Sequence, residues 1–585
     1  MLTLSELLRI PYVDTGLKFA VSPDEQRIIF SWNKTGTWEL WEVAGTEIRE
    51  LRINLAGAKF SPCFSPDGTK IAFALDIDGS ESYHICIHDF TTNTSTDLNS
   101  NFLYAHQPNM SWSPDGRGLA VLSEANGQFA LYILPLDGSR ERMIRNIFHP
   151  CWDAAWSPDG KWIAVESEAA ASDRSIHIVP VGQHKGKVRT VQLTKDGKAL
   201  NAQHPAWSPD SKSLAFSCEN SEWFNIGLYD VETQEITWVT DSVGDDTQPA
   251  WSRSGEILGW VHSEGAKTQF QFKDRGGAIR EVKAGDGVHA HPQITADGVI
   301  LHFDDVNHPA DLWKINLETG EATQLTKSLD EELNFPQPEE VWYPGMDGVQ
   351  VPALLYHGAG DLAVLNIHGG PNWHLQFSWN PELSFMLAQG WTVLAPNYRG
   401  STGYGKKWQN ASRNDMGGVD NDDCAAGAKY LLENGLAKRI AVTGRSHGGY
   451  LTMTCLTGYP ELFVGGSAVV PFLNWIKSHY ASREDLQHWN IENMGDPEEN
   501  KELWIARSPY FFLDRVNAPV QMICGENDQR CPASDSIDAR DKLVELGKEV
   551  ELHLYKDEGH SFLKIENVID AEMRRVEFLE KVLKK

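Results

Sequence analysis

The sequence predicts two folds in series: a seven-bladed β-propeller, then an α/β domain built on a mostly parallel sheet flanked by helices. Three observations carry this. A hairpin motif recurs seven times through the first half. After about residue 330 it gives way to short apolar runs alternating with helical patterns. One junction in the second half frames a lone serine with glycines, in "RIAVTGRSHGGYLTM" at 439–453.

The repeat reads "VSPDEQRIIF" at 21–30, "FSPDGTKIAF" at 64–73, "WSPDGRGLAV" at 112–121, "WSPDGKWIAV" at 156–165 and "WSPDSKSLAF" at 207–216. It continues more weakly as "WSRSGEILGW" at 251–260 and "ITADGVILHF" at 294–303. Ser22, Ser65, Ser113, Ser157, Ser208, Ser252 and Thr295 align, 43 to 51 residues apart. Serine opens a type I turn, proline presets its second position, and glycine relieves the last. An apolar or aromatic residue before the turn and an alternating apolar run after it make a β-hairpin. A mid-forties period of hairpins is the signature of four-stranded propeller blades. An open array of hairpins or two sandwiches is the competing arrangement, and regular spacing over seven copies disfavours it. The repeated Ser and Asp are turn formers.

Residues 1–10 read as a short amphipathic helix stopped by Pro11 and packed on the C-terminal domain, and 11–330 as the propeller. The polar, proline-containing stretch at 331–340 reads as a linker, and 341–585 as the second domain. In it, "LAVLNI" (362–367), "WTVLAP" (391–396), "RIAVTG" (439–444), "PVQMIC" (519–524) and "VELHLY" (550–555) are buried-strand candidates separated by helical patterns. That alternation specifies a parallel sheet covered on both faces.

Composition narrows the function classes. Lys plus Arg total 52 against 81 Asp plus Glu, a formal charge of −29, which repels a phosphate backbone and argues against nucleic-acid binding. No apolar run reaches membrane-spanning length. The N-terminus lacks the basic region and uninterrupted apolar core of a signal peptide. The eight cysteines are scattered, with no CxxC pair and no zinc-like spacing, so free thiols in a reducing cytoplasm are expected. No metal and no cofactor is called for.

Ser446 sits in Gly444-Arg445-Ser446-His447-Gly448, a GxSxG pattern between a strand and a helix. That is a nucleophile elbow, a turn so sharp that glycines are needed around the serine, as in the α/β-hydrolase fold. A serine hydroxyl needs a base to take its proton. In this fold the acid and then the histidine follow on loops after later strands. Asp528, after the strand at 519–524, and His560, after the strand at 550–555, fill those places. Asp557 and Glu558 lie too close in sequence to His560 to be the acid and read as turn and surface. Oxyanion donors are expected from the backbone N–H of His447 and from the loop His368-Gly369-Gly370-Pro371, with Gly370 as its donor. His368 precedes the serine and is expected to support that loop.

With these residues placed, the chain resembles the prolyl oligopeptidase family of serine peptidases along essentially its whole length. "HGGP", "NYRGSTGYG", "GRSHGGY", "GENDQRCP" and "DEGHSF" are similar to the family's motifs in the family's order. The nearest likeness is to the acylaminoacyl-peptidase branch, because His368 stands where other branches carry an oxyanion tyrosine. The resemblance implies an oxyanion hole of backbone N–H groups from Gly370 and His447. Glu331-Glu332 and Glu339-Glu340 do not resemble the paired-glutamate motif of dipeptidyl peptidases. Arg530 matches a family arginine near the substrate, with a structural ion pair as the alternative. The segment 470–512 is implied to build the S1 pocket, with Trp475 and Trp489 as lining or as core. Short peptides are the implied substrates, filtered by the propeller, and the likeness also allows a homo-oligomer.

Three functions follow from these observations: a cytoplasmic serine oligopeptidase releasing N-acylated or apolar N-terminal residues, a carboxylesterase with the same triad, and a propeller adaptor carrying an inactive hydrolase. A small-ester enzyme has no evident need of the propeller, and a complete nucleophile, base and acid argue against the adaptor.

Overall fold

A computed structural model describes residues 2–100, 104–170, 173–182, 191–195 and 197–585. The chain divides into two compact units: Pro11–Ile77 with Glu81–Glu331, and Met1–Ile10 with Asp78–Ser80 and Glu332–Lys585.

Among the described residues, the first unit holds seven four-stranded antiparallel sheets, each a meander of consecutive strands, and one two-stranded pairing of Thr194–Lys195 with Lys198–Ala199. It is a seven-bladed β-propeller. The SPD motif works as a tied turn. In the second blade, Gly68 N–H donates to Ser65 O (2.9 Å), and Ser65 Oγ bonds Asp67 (2.7 Å) while accepting from Lys70 N–H (3.0 Å). Ser113, Ser157 and Ser208 repeat the bond to aspartate. The tryptophan before the motif links blades: Trp112 Nε1 donates to Cys63 O (2.8 Å), Trp207 to Ala155 O (2.9 Å) and Trp251 to Ala206 O (3.2 Å). First and last blades meet through a cluster joining Val13, Phe19 and Phe30 to Ile300 and Leu312, and Val13 N–H donates to Ala310 O (2.8 Å).

The second unit is an α/β-hydrolase domain. Its eight strands are β1 (Glu339–Pro344), β2 (Gln350–Tyr356), β3 (Leu362–Ile367), β4 (Thr392–Pro396), β5 (Arg439–Arg445), β6 (Gly466–Val469), β7 (Val520–Gly525) and β8 (Val550–Tyr555). Their order across the sheet is β1-β2-β4-β3-β5-β6-β7-β8, parallel from β4 to β8 with an antiparallel β1-β2 edge. The central strands are buried on both faces, which is why they read as continuous apolar runs. The short helix Leu4–Leu8, closed by a Thr3–Glu6 capping box, packs on helices Pro381–Ala388 and Ile565–Lys584, and Arg9 pairs with Glu566 (2.8 Å).

One boundary moves. The segment read as a linker through 340 already belongs to β1 from Glu339, whose glutamates face outward on an edge strand while Val341 and Tyr343 face the core. Outward charges on an edge look like linker in sequence.

Candidate active site

β5 ends at Arg445, and Ser446 turns the chain at φ 58°, ψ −121° directly into the helix His447–Gly458. Glycine is required on both sides by close approach. A Cβ at Gly444 would meet Gly448 C and Ile367 O at 2.5 Å, and one at Gly448 would meet Ile367 O at 2.1 Å. The elbow is pinned to β6 by Ser446 N–H donating to Val469 O (2.9 Å).

The structure brings Ser446, His560 and Asp528 into one relay. Ser446 Oγ lies 3.0 Å from His560 Nε2, and His560 Nδ1 lies 2.9 Å from Asp528 Oδ2. Asp528 Oδ1 accepts from Arg530 N–H and Cys531 N–H, both at 2.8 Å, so the loop's own backbone fixes the carboxylate. Asp528 is acceptor-only, so Nδ1 carries the proton and Nε2 accepts from the serine hydroxyl. Asp528 and His560 are buried and Ser446 is half-buried.

His447 opens the elbow helix, and its N–H, in the first turn, has no intrahelical acceptor. Its ring is buried, with Nε2 3.1 Å from Asp420 Oδ2, so only its backbone is available to a substrate. The HGGP loop leaves β3 and passes against the elbow: a Cβ at Gly369 would lie 3.3 Å from Ser446 Cβ. Gly370 has φ 120° and is exposed. His368 stacks on Tyr398 (4.3 Å between centroids), with Nδ1 2.6 Å from Gly369 O and Nε2 2.9 Å from Ser401 Oγ. Burial lowers its pKa to about 3, so it is neutral, and both ring nitrogens are engaged in holding the loop.

The other sequence-singled residues separate. Trp475 is core: 2% exposed, T-shaped against Phe472 and Tyr450, with Nε1 donating to Tyr450 OH (3.1 Å). It offers a substrate almost no surface, because helix Trp475–Ala481 turns that face inward. Trp489 is half-buried against the same core. The Arg530 side chain is exposed beside the Asp528 loop.

Glu558 corrects the surface reading. It is fully buried, accepting from Leu563 N–H (2.7 Å), Lys564 N–H (3.2 Å) and Asn567 Nδ2 (2.6 Å), while its carbonyl accepts from Asn527 N–H (2.9 Å). It ties the acid loop to the histidine loop. Asp557 stays exposed, as expected of a turn residue, paired with Lys564 (3.1 Å). Arg445, the nucleophile's neighbour, donates through Nη1 to His560 O (3.3 Å) and faces Glu572 (3.5 Å). A carboxylate beside a catalytic-type histidine and an arginine beside the serine were visible signals, but no pattern in sequence shows where a side chain turns.

A nucleophile elbow with a hydrogen-bonded Ser–His–Asp relay on this sheet defines a serine hydrolase. A sequence model described as the prolyl oligopeptidase family matches residues 375–585, and a TolB beta propeller domain model matches 14–195 and 186–342. Residues 375–585 belong to the prolyl oligopeptidase family of serine peptidases. It is 26% identical over 621 residues to an uncharacterized peptidase, YuxL, of Bacillus subtilis, covering 86% of this chain and 94% of that one. Other curated relatives carry dipeptidyl-peptidase and acylamino-acid-releasing names. Among solved structures, a Mycobacterium tuberculosis puromycin-hydrolyzing peptidase superposes with TM-score 0.87 at 19% identity, covering 100% of this chain and 96% of that one. A Pyrococcus horikoshii acylaminoacyl peptidase does so with TM-score 0.76 at 19% identity, covering 100% and 98%. At these identities the two structures speak for the fold.

Proposed function

We propose that this serine peptidase hydrolyses short peptides through an acyl-enzyme, releasing N-acylated or apolar N-terminal residues, and that its propeller restricts substrate size. The continuous relay from Ser446 through His560 to Asp528 carries the reading. His560 takes the serine proton as Oγ attacks the scissile carbonyl, and Asp528 stabilises the imidazolium. The oxyanion is held by the backbone N–H groups of His447 and Gly370, aided by the N-terminus of helix His447–Gly458. His560 then protonates the leaving amine, and water, activated by the same base, hydrolyses the ester.

The acyl preference is supported by His368. Its ring nitrogens are both spent on Gly369 and Ser401, so the loop presents backbone donors and no side-chain hydroxyl to the oxyanion. The experiment is a cleavage profile of acetyl-Xaa peptides, free-amino peptides of increasing length and p-nitrophenyl esters. Fastest release of acetyl-Xaa from short peptides, falling with length, is expected. Release of free-amino dipeptides alone would replace the acyl preference, and ester turnover with no peptide cleavage would replace the peptidase reading by a carboxylesterase.

A further inference from the structure

Cys531 stands three residues after Asp528 and is 5% exposed. Its sulfur, a carboxylate oxygen of Asp528 and a ring nitrogen of His560 all lie within 4.8 Å of one another. Burial pushes the thiol well above the usual range, so it rests as S–H. The peptidase mechanism has no step for a thiol there. Nitrogen, oxygen and sulfur donors converging in this way are the set a borderline-soft divalent cation takes. Sulfur and nitrogen on one tetrahedral zinc stand about 3.5 Å apart, given bonds of about 2.3 and 2.0 Å. The sulfur and nitrogen therefore need to close by at most about 1.3 Å. Ser446, half-buried beside them, marks the opening to solvent.

We propose that Cys531 makes the catalytic centre a binding site for thiophilic divalent cations such as Zn²⁺ or Cd²⁺, and that binding inhibits the enzyme reversibly. The cation bonds to the Cys531 sulfur, whose proton leaves to solvent, and takes a lone pair of the His560 imidazole. Asp528 supplies the nearby carboxylate charge. With its lone pair committed, His560 no longer accepts the Ser446 proton. Mg²⁺ and Ca²⁺, which select all-oxygen sites, leave the enzyme active. The inhibition rests on the triad reading, whereas the binding does not.

The test uses the full chain, its Cys531→Ala variant and, should that variant not fold, Cys531→Val. Each protein's activity with Zn²⁺ is divided by its own metal-free activity, and binding is read separately from the ultraviolet cadmium–thiolate charge-transfer band. Expected are wild-type inhibition at micromolar Zn²⁺, reversal by chelator, and an inhibitory concentration at least about tenfold higher in the variant, with one thiolate's share of the cadmium band lost. Equal inhibition of both proteins, an uninhibited wild type, or an unchanged cadmium band would overturn the proposal. In a preparation with no peptidase activity, the band alone decides the site and the activity failure counts only against the proposed function.

Discussion

Arg445 Nη1 donates to the backbone carbonyl of His560 at 3.3 Å, so the residue before Ser446 holds the main chain of the histidine that faces Ser446 Oγ. Glu572, itself paired with Arg575 (3.0 Å), faces the other side of the guanidinium. A charge-assisted bond of this kind contributes about 1.5–3 kcal/mol. Arg445→Met is expected to lower kcat about tenfold or more with KM little changed, since 1.4 kcal/mol is a factor of ten. Arg445→Lys should recover part of it. Steady-state kinetics on the folded variants check this, and an unchanged kcat in Arg445→Met would show that the loop holds His560 without help.

Glu558 is the second support of that loop. Three donors converge on a buried carboxylate, and removing the acceptor leaves them unsatisfied at about 1–3 kcal/mol each, partly offset by relaxation and water. Glu558→Ala should lower the melting temperature of the catalytic unit by several degrees and reduce kcat, and Glu558→Gln, which keeps an acceptor oxygen, should do less of both. Thermal melts with parallel kinetics read the two effects. Equal behaviour of Ala and Gln would remove the acceptor role.

Asp535 gives a pH signature. Burial raises its pKa from 3.8 to about 6, although Leu473 N–H and Asn474 N–H both donate to it and oppose the shift. Its folded pKa lies above its unfolded one, so the folded state binds the proton more tightly, and stability is gained as pH falls through about 6 and complete below 3.8. The shift corresponds to about 3 kcal/mol. Asp535→Asn keeps an acceptor without the charge. Between pH 6 and pH 4 the wild type should therefore gain melting temperature relative to the variant. A constant difference across that range would contradict the assignment.

His368 should be silent in the pH–rate profile. With its pKa near 3 it stays neutral wherever the enzyme works. His368→Gln, which retains polar contacts to Ser401 and the loop, is expected to keep the acid limb of kcat/KM where the wild type has it while lowering its height. A displaced limb would mean that His368 titrates in the free enzyme.

The sheet was legible because its buried strands are continuous apolar runs: β3, β5 and β8 start where "LAVLNI", "RIAVTG" and "VELHLY" do. β6, four residues of Gly-Ser-Ala-Val, has too little apolar length to register. Ser446, Asp528 and His560 were legible because the elbow and the strand-end loops tie chemistry to order along the chain. Arg445, Glu558 and Cys531 were not, because their parts depend on where a side chain turns after folding. Charge alone makes Glu558 look like surface, and only three converging donors make its burial tolerable. Trp475 could be lining or core in sequence, and the inward turn of its helix decides for core.

The central claim is that Ser446 is the nucleophile, and the most direct measurement is hydrolysis by purified Ser446→Ala on whichever substrate the wild type cleaves fastest. The account predicts a fall in kcat of at least about 10⁴-fold in a protein that melts within a few degrees of wild type, because base, acid and oxyanion donors remain but no bond can form. Turnover near the wild-type rate by the folded variant would contradict it.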